Sequence, residues 1–511
     1  MVQFYDEMPD WLMPWIVQQH LFFVATCANE GHVNVSPKCA DETFHVVDSR
    51  KVWYEDLSGS GIETISHIQE NGRITVMFTA FDKPPRIARL WGTGTFHEFG
   101  TPEYNRYIPS GTRRPGSRAV IEISIHRVGT SCGYAVPFYE YTGPRTLLDR
   151  CAARFESQTT PDRQNVLRAY WRDHNLKSLD GLPGLQVAHE TTGNLVNAGV
   201  LQEIQNPMKN GKSDLRGGYG FDMLRLLVGT SAGVLVTLLF LRFVWTDETQ
   251  MGSFYDEMPD WLMAWLVKQH MFFVATAARD GHVNVSPKGL QDTFHVVDSK
   301  TVWYEDLSGS GVETISHLRE NGRITIMLTA FDKPPRIARL FGTGTVYEYG
   351  TPEYEKYIPA EKRKPGSRSV ILVDIHKVGS SCGYSVPFYE FQSHRNVLED
   401  WAARKEQIEN DGSGKGVRGY WREWNAKSID GLPGLQVAHE TTGKLVSIGA
   451  PVGLRKGGIG ESLSGEGHVA QKAKQGLASL CQYVDLQLAL GVLTGVLATL
   501  AYARIGELRS V

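Results

Sequence analysis

Two stretches of this chain combine a cation, several hydroxyls and free backbone N–H groups at short spacing. From His282 to Arg323 the chain reads HVNVSPKGLQDTFHVVDSKTVWYEDLSGSGVETISHLRENGR, and from His32 to Arg73 it reads HVNVSPKCADETFHVVDSRKVWYEDLSGSGIETISHIQENGR. The runs VNVS, FHVV and VWYE are rich in β-branched and aromatic residues and are separated by turn formers, which predicts strands. The Gly/Ser loop that follows opens a helix in which Ile315 and Leu318 have helical spacing. Such a loop presents unpaired N–H groups and the positive end of a helix dipole, so it suits a phosphate. Lys288, on the preceding hairpin, would bring a cation to the same anion. The competing structural reading is an ordinary hairpin and helix start, but the pattern occurs twice.

That recurrence is part of a longer repeat. FYDEMPDWLM at 4 and 254, FDKPPRIARL at 81 and 331, SCGY at 131 and 381 and DGLPGLQVAHETTG at 180 and 430 all share an offset of 250. A period this long is a duplicated domain rather than a solenoid. Met251 opens the second copy where Met1 opens the first, as a fusion of two tandem genes, or a gene model joining two neighbours, would leave it. The expected organisation is one domain at 1–200, a linker with an apolar run at 201–250, a second domain at 251–450 and a second such linker at 451–511.

Each copy reads alike. PDWLMPWIVQQH predicts an N-capped amphipathic helix with Trp11, Trp15 and Ile16 on one side. LFFVATC, RITVMFTAF, RIARLWGTGTFHEF and AVIEISIHRVGTS predict strands, the third with a bulge or close approach at Gly-Thr-Gly. TPEYNRYI predicts a short helix capped by Thr101, and residues from about 145 to 200 read as mostly helical. Strands around one central helix, without β-α-β alternation, predict a closed antiparallel barrel, mainly β or α+β, rather than a doubly wound sheet.

A net charge of −3 with no long Lys/Arg run argues against a nucleic-acid partner. Six cysteines without paired spacing imply a reducing compartment and neither a disulfide framework nor a zinc site. The repeated histidines at 32, 45 and 67 and at 282, 295 and 317 fit no zinc spacing and read as packing or solvent-facing residues, so no metal is expected. Two uncharged runs, 226–241 and 486–503, would reach about 24 and 27 Å as helices, close to the roughly 30 Å of a bilayer core. They predict membrane anchoring, with both barrels cytosolic, the first run in-plane or re-entrant and the second spanning.

VNVSPKG, WYEDLSGSGVETISHLRENGRITIMLTAF and RIARLFGTGTV resemble the pyridoxamine 5′-phosphate oxidase-like family of split β-barrel flavoproteins, its fungal branch most of all. The resemblance covers about 4–140 and 254–390 and implies tandem split barrels that pair, within the chain or as a homodimer, around FMN. Carried over by motif, Ser286, Lys288, Ser308, Ser310 and Thr314 would face the phosphate, with Ser36, Lys38, Ser58, Ser60 and Thr64 in the first copy. Arg339 and Phe341 would line the flavin ring, with Arg89 and Trp91 in the first copy; a surface ion pair is the other reading of the arginines. Cys132 and Cys382, in SCGY, read as buried structural thiols.

Two departures qualify the implied function, an FMN-dependent oxidoreductase of unknown substrate. The first copy has Cys39 where the second has Gly289, and a turn needing φ > 0 would strain Cys39 and weaken its pocket. DGLPGLQVAHETTG also stands where true pyridoxamine phosphate oxidases carry an arginine-rich substrate segment. The alternative function is a non-catalytic, membrane-tethered module for flavin, deazaflavin or haem.

Overall fold

The computed structural model describes residues 2–109, 111–159, 165–189, 252–289, 291–409 and 414–439. The apolar runs at 226–241 and 486–503 lie outside them. Among the described residues, no helix is long and apolar enough to cross a membrane.

In the first copy the strands are β1 (Gln3–Tyr5), β2 (Leu21–Cys27), β3 (Val33–Cys39), β4 (Phe44–Val46), β5 (Lys51–Leu57), β6 (Arg73–Thr79), β7 (Ile87–Glu98), β8 (Ser117–Ser131) and β9 (Phe138–Gly143). The helices are α1 (Leu12–Val17), α2 (Glu63–Asn71), α3 (Pro102–Tyr107), α4 (Leu147–Ser157), α5 (Val166–His174) and α6 (Gln186–His189). The second copy repeats the strands as β10 (Ser253–Tyr255), β11 (Met271–Ala277), β12 (Val283–Gly289), β13 (Phe294–Val296), β14 (Thr301–Leu307), β15 (Arg323–Thr329), β16 (Ile337–Glu348), β17 (Ser367–Ser381) and β18 (Phe388–Ser393). Its helices are α7 (Asp260–Leu266), α8 (Glu313–Asn321), α9 (Pro352–Tyr357), α10 (Val397–Gln407) and α11 (Val417–Trp424).

Each copy builds one eight-stranded antiparallel sheet ordered β3-β2-β6-β7-β8-β5-β4, with β1 added on β8; the second copy is β12-β11-β15-β16-β17-β14-β13 with β10 on β17. The order runs open from β3 to β4. Each barrel is therefore split, as the family resemblance implied, rather than closed, as the strand pattern alone suggested. The expected bulge is present: the β7/β8 register shifts between Trp91 and Gly92, and its counterpart between Phe341 and Gly342. Gly92 has no room for a side chain, because a Cβ there would lie 2.6 Å from the Ser124 carbonyl oxygen.

The central helix α2 lays Ile65 and Ile68 on the sheet and ends at Gly72, whose φ of 73° is the left-handed value glycine favours. Thr101 caps α3 by accepting from the Tyr104 N–H at 3.2 Å. The entry helix differs from expectation. Neither α1 nor α7 has a side-chain cap, and it is Leu12 and Ile16 that face the core while Trp11 is exposed. Trp11 instead lies under the Arg86 guanidinium.

The two copies pair into one compact unit. Apolar residues on the outward faces of β2, β3, β6, β11, β12 and β15 form a shared core that includes Phe23, Val35, Met77, Phe273, Val285 and Met327. The Phe23 and Phe273 rings stack at 4.0 Å. That explains why β2 and β11 are buried at every position: one face packs inside its own barrel and the other against the partner barrel. Polar groups trim the seam. Thr75 donates to the Val283 carbonyl at 2.6 Å, and Arg73 donates to Ala278 O at 2.8 Å. A strand pair missed in the sequence also crosses it: β9 of one copy pairs antiparallel with β18 of the other.

Candidate functional site

The pairing makes two composite cavities, each lined by both copies. The first, about 390 Å³, brings Asn284, Ser286, Lys288, Ser308, Ser310 and Thr314 of the second copy against Arg89, Trp91 and Cys132 of the first. The second, about 140 Å³, reverses the roles: Asn34, Ser36, Lys38, Ser58, Ser60 and Thr64 meet Arg339, Phe341 and Cys382. All fourteen residues expected at the site therefore line a cavity, sorted across the seam rather than within one copy.

Their roles are not uniform. Lys288 Nζ lies 2.6 Å from Asp306 Oδ1, and Arg368 Nε donates to Asp306 Oδ2 at 2.8 Å. Lys38, Asp56 and Arg118 repeat this at 2.6 and 2.8 Å. Burial alone would raise the Asp306 carboxyl, but Arg368 and Lys288 outweigh it and hold it below the usual carboxylate range. The site cation is therefore a Lys–Asp–Arg triad of net charge +1, not a lone lysine. Sequence reasoning missed Asp306 and Arg368, and their first-copy counterparts. A signal was available in W-Y-E-D, where a charge sits in a strand among residues that must be buried.

Ser308 departs from expectation. Its single O–H donates to the Gly366 carbonyl at 2.6 Å while it accepts from the Trp421 indole at 2.7 Å, and Ser58 repeats this with Gly116 and Trp171. A phosphate oxygen needs a donor, and these hydroxyls have spent theirs; they hold the loop to the helical extension. Thr314 accepts from Asn284 Nδ2 at 3.2 Å, which also donates to Thr276, while Ser286 donates to Asn284 Oδ1 at 3.4 Å. Ser310 lies half-buried at the cavity wall, and around Gly309 there is open space.

Arg89 is neither a surface ion pair nor simply a ring contact. It is half-buried, crosses the seam, and donates from Nε to Val285 O at 2.7 Å and from its second guanidinium nitrogen to Ser286 Oγ at 3.2 Å. Arg339 does the same with Val35 and Ser36 at 2.8 and 3.2 Å. Burial pulls both guanidinium pKa values down, Glu313 and Glu63 opposing this from across the cavity. These carboxylates sit at the starts of α8 and α2, where a Cβ on Gly311 or Gly61 would meet them at 2.2 Å. The helix start thus carries its own anion. Trp91 and Phe341 are buried at the cavity edge, and the Trp91 ring lies over Gly129, where a Cβ would be 2.6 Å away.

Position 39/289 matters for a reason other than φ: neither Cys39 nor Gly289 has positive φ. A Cβ on Gly289 would lie 2.1 Å from the Ala135 carbonyl of the first copy, so glycine permits a backbone contact across the seam. Cys39 places a thiol there instead, and burial, with Asp41, pushes it up to about 11. Cys132 and Cys382 border the cavities rather than lying wholly inside the fold, and burial raises both thiols. The five described cysteines form no disulfide, and no group of three or more metal-binding side chains occurs among the described residues.

The segment DGLPGLQV closes on the barrel. Asp180 accepts from the His32 N–H at 2.9 Å, and the Gln186 and Val187 N–H groups bond Glu98 at 2.7 and 2.9 Å.

A sequence profile described as pyridoxamine 5′-phosphate oxidase matches residues 8–132 and 258–382. A curated relative, the pyridoxamine 5′-phosphate oxidase family protein ustO of Aspergillus flavus, is 41% identical over 206 residues, which span 38% of this chain and 83% of the relative. Among solved structures, HupZ of Group A Streptococcus is 22% identical, covering 24% of this chain and 92% of its own, with a TM-score of 0.20. An FMN-binding protein of Syntrophomonas wolfei is 14% identical over 23% of this chain and 80% of its own, with a TM-score of 0.18. The chain therefore belongs to the pyridoxamine 5′-phosphate oxidase family and carries that family's domain twice.

Proposed function

We propose that the chain binds FMN in the larger composite cavity and acts as an FMN-dependent oxidoreductase on a small substrate. The observation that carries this is the volume of about 390 Å³, with both cations and aromatic rings in its lining, within the roughly 300–1,000 Å³ of small-molecule sites. The donor set fits a phosphorylated heteroaromatic. Lys288, Arg89 and Ser310 offer N–H and O–H groups to a phosphate, and Trp91, Trp401 and Tyr420 offer flat apolar surface to a ring. FMN would supply the redox chemistry; the chain's residues bind it, orient it and exclude water. The smaller cavity, about 140 Å³, falls below that range, so the reading is one FMN per chain.

The membrane reading rests on the apolar character of 226–241 and 486–503 alone; in it, both barrels remain cytosolic and the chain is tethered. Fractionation of full-length protein and of a chain lacking 486–503 tests it, and a full-length chain soluble without detergent would overturn it.

The main experiment is reconstitution of the full chain with FMN, followed by an absorbance spectrum and a titration. Flavin bands with about one FMN per chain are expected, weakened by Arg89→Ala far more than by Arg339→Ala, because each arginine serves the opposite cavity. No retained flavin at saturating concentration overturns the proposal; a Soret band with added haem would favour the non-catalytic module.

A further inference from the structure

Two histidine pairs join the barrels outside the cavities. His32 Nε2 lies 2.9 Å from His376 Nε2, and His282 Nε2 lies 3.0 Å from His126 Nε2. In each pair one ring comes from the turn before β3 or β12 and the other from β8 or β17 of the opposite copy. Behind the first ring stands a carboxylate: His32 Nδ1 bonds Asp180 Oδ1 at 2.5 Å, and His282 Nδ1 bonds Asp430 Oδ1 at 2.5 Å. Behind the carboxylate is a fully buried histidine, His67 or His317, with Nε2 at 3.9 or 3.8 Å from it and Nδ1 at 3.0 Å from Thr26 or Thr276.

The pairs adjoin the cavities on two sides. Trp91, at the edge of the larger cavity, meets the His282 ring edge-on at 5.8 Å, and Phe341 meets His32 at 5.0 Å. On the other side, Thr276 accepts from Asn284 at 3.3 Å, and Asn284 also bonds the cavity-lining Thr314 and Ser286. We propose that the paired histidines are a protonation-dependent latch that holds the two barrels in the register that shapes the cavities.

The chemistry follows from proton counting. With its Nδ1–H given to Asp430, neutral His282 offers the Nε2 lone pair, and His126 donates its Nε2–H. One added proton is tolerated, because His282 then donates to a neutral His126 and Asp430 balances the charge. A second proton leaves two N–H groups facing each other at about 3 Å, and the bond is lost.

Burial first, then the facing His282, together with Arg127, lowers the His126 pKa, with Asp430 opposing. Burial, then His32 and Lys377, lowers that of His376, with Asp374 and Asp180 opposing. A histidine whose folded-state pKa is lowered adds stability that is complete above the unfolded value of 6.5. That stability is lost as pH falls from there through the folded value. The apolar seam keeps the barrels together, so the latch adjusts their fit and does not separate them.

The test compares the full chain with a His126→Gln/His376→Gln variant, in which a glutamine amide can donate or accept at any pH. Without flavin, acidification from about pH 7.5 to 5 should lower the wild-type Tm by about 2–4 °C more than the variant's. Parallel curves overturn the latch. NMR titration gives an independent reading: the rings of His126 and His376 should titrate below 6.5, and titration at or above that value overturns it. The coupling to FMN rests on the functional proposal. Affinity should weaken several-fold more in wild type than in the variant over the same range. A Tm difference without flavin binding at any pH would keep the latch and remove the flavin reading.

Discussion

The two cavities are assembled from the same parts in exchanged roles, yet one is nearly three times the size of the other, about 390 against 140 Å³. Their polar ends match: each has a Lys–Asp–Arg triad, an arginine reaching across the seam and the same asparagine–threonine network. Their helical walls do not. The larger cavity extends to Leu398, Trp401 and Tyr420 on α10 and α11, whereas the smaller one reaches Leu148 of α4 and no residue of α5. Cys151 stands where the second copy has Trp401, and Cys39 where it has Gly289. Duplication within one chain lets two sites that a homodimer would keep identical diverge.

If the polar ends are equivalent, Asp306→Ala and Asp56→Ala should each cost about 3–5 kcal/mol in denaturant unfolding, since either leaves a buried arginine and a lysine without their shared anion. A loss under about 1 kcal/mol from either would show that the triads are not electrostatically closed. Gly289→Cys should be the next largest effect. A Cβ there meets the Ala135 carbonyl, so the seam beside the larger cavity must shift, and FMN affinity should drop at least about tenfold, or about 1.4 kcal/mol. The reciprocal Cys39→Gly should leave that affinity unchanged; weaker binding from it would place the flavin in the smaller cavity. The smallest effect should come from Trp401→Cys, which copies the first-copy residue: about a three- to tenfold loss, the scale of one aromatic contact. An unchanged titration would remove Trp401 from the ring site.

Much of each barrel could be read from local pattern. Val33–Cys39 and Ser117–Ser131 alternate as strands must, Ile65 and Ile68 have helical spacing, and Thr101 caps α3 as its position implied. The entry helix forms with Ile16 in the core and Trp15 packed against it, but Trp11, which looks like a core residue, places its ring under Arg86 at the surface. Ser58 and Ser308 line the cavities, yet a hydroxyl in a Gly/Ser loop serves equally to bind a ligand or to pin the loop, and here Trp171 and Trp421, more than a hundred residues away, engage both.

The sequence by itself determined the duplication, the strands and central helix of each copy, the family and fourteen of the residues that line the cavities, because strand period, turn chemistry and motif are read along the chain. Only the tertiary structure decided that every site is shared, that Lys288 answers to Asp306 and Arg368, that Arg89 serves the second copy's hairpin, and that His126 meets His282. Those outcomes depend on which faces of β2, β3, β6, β11, β12 and β15 remain apolar once each barrel has formed. That surplus apolar surface must be buried somewhere, and burying it against the other copy brings together side chains that no spacing along the chain relates.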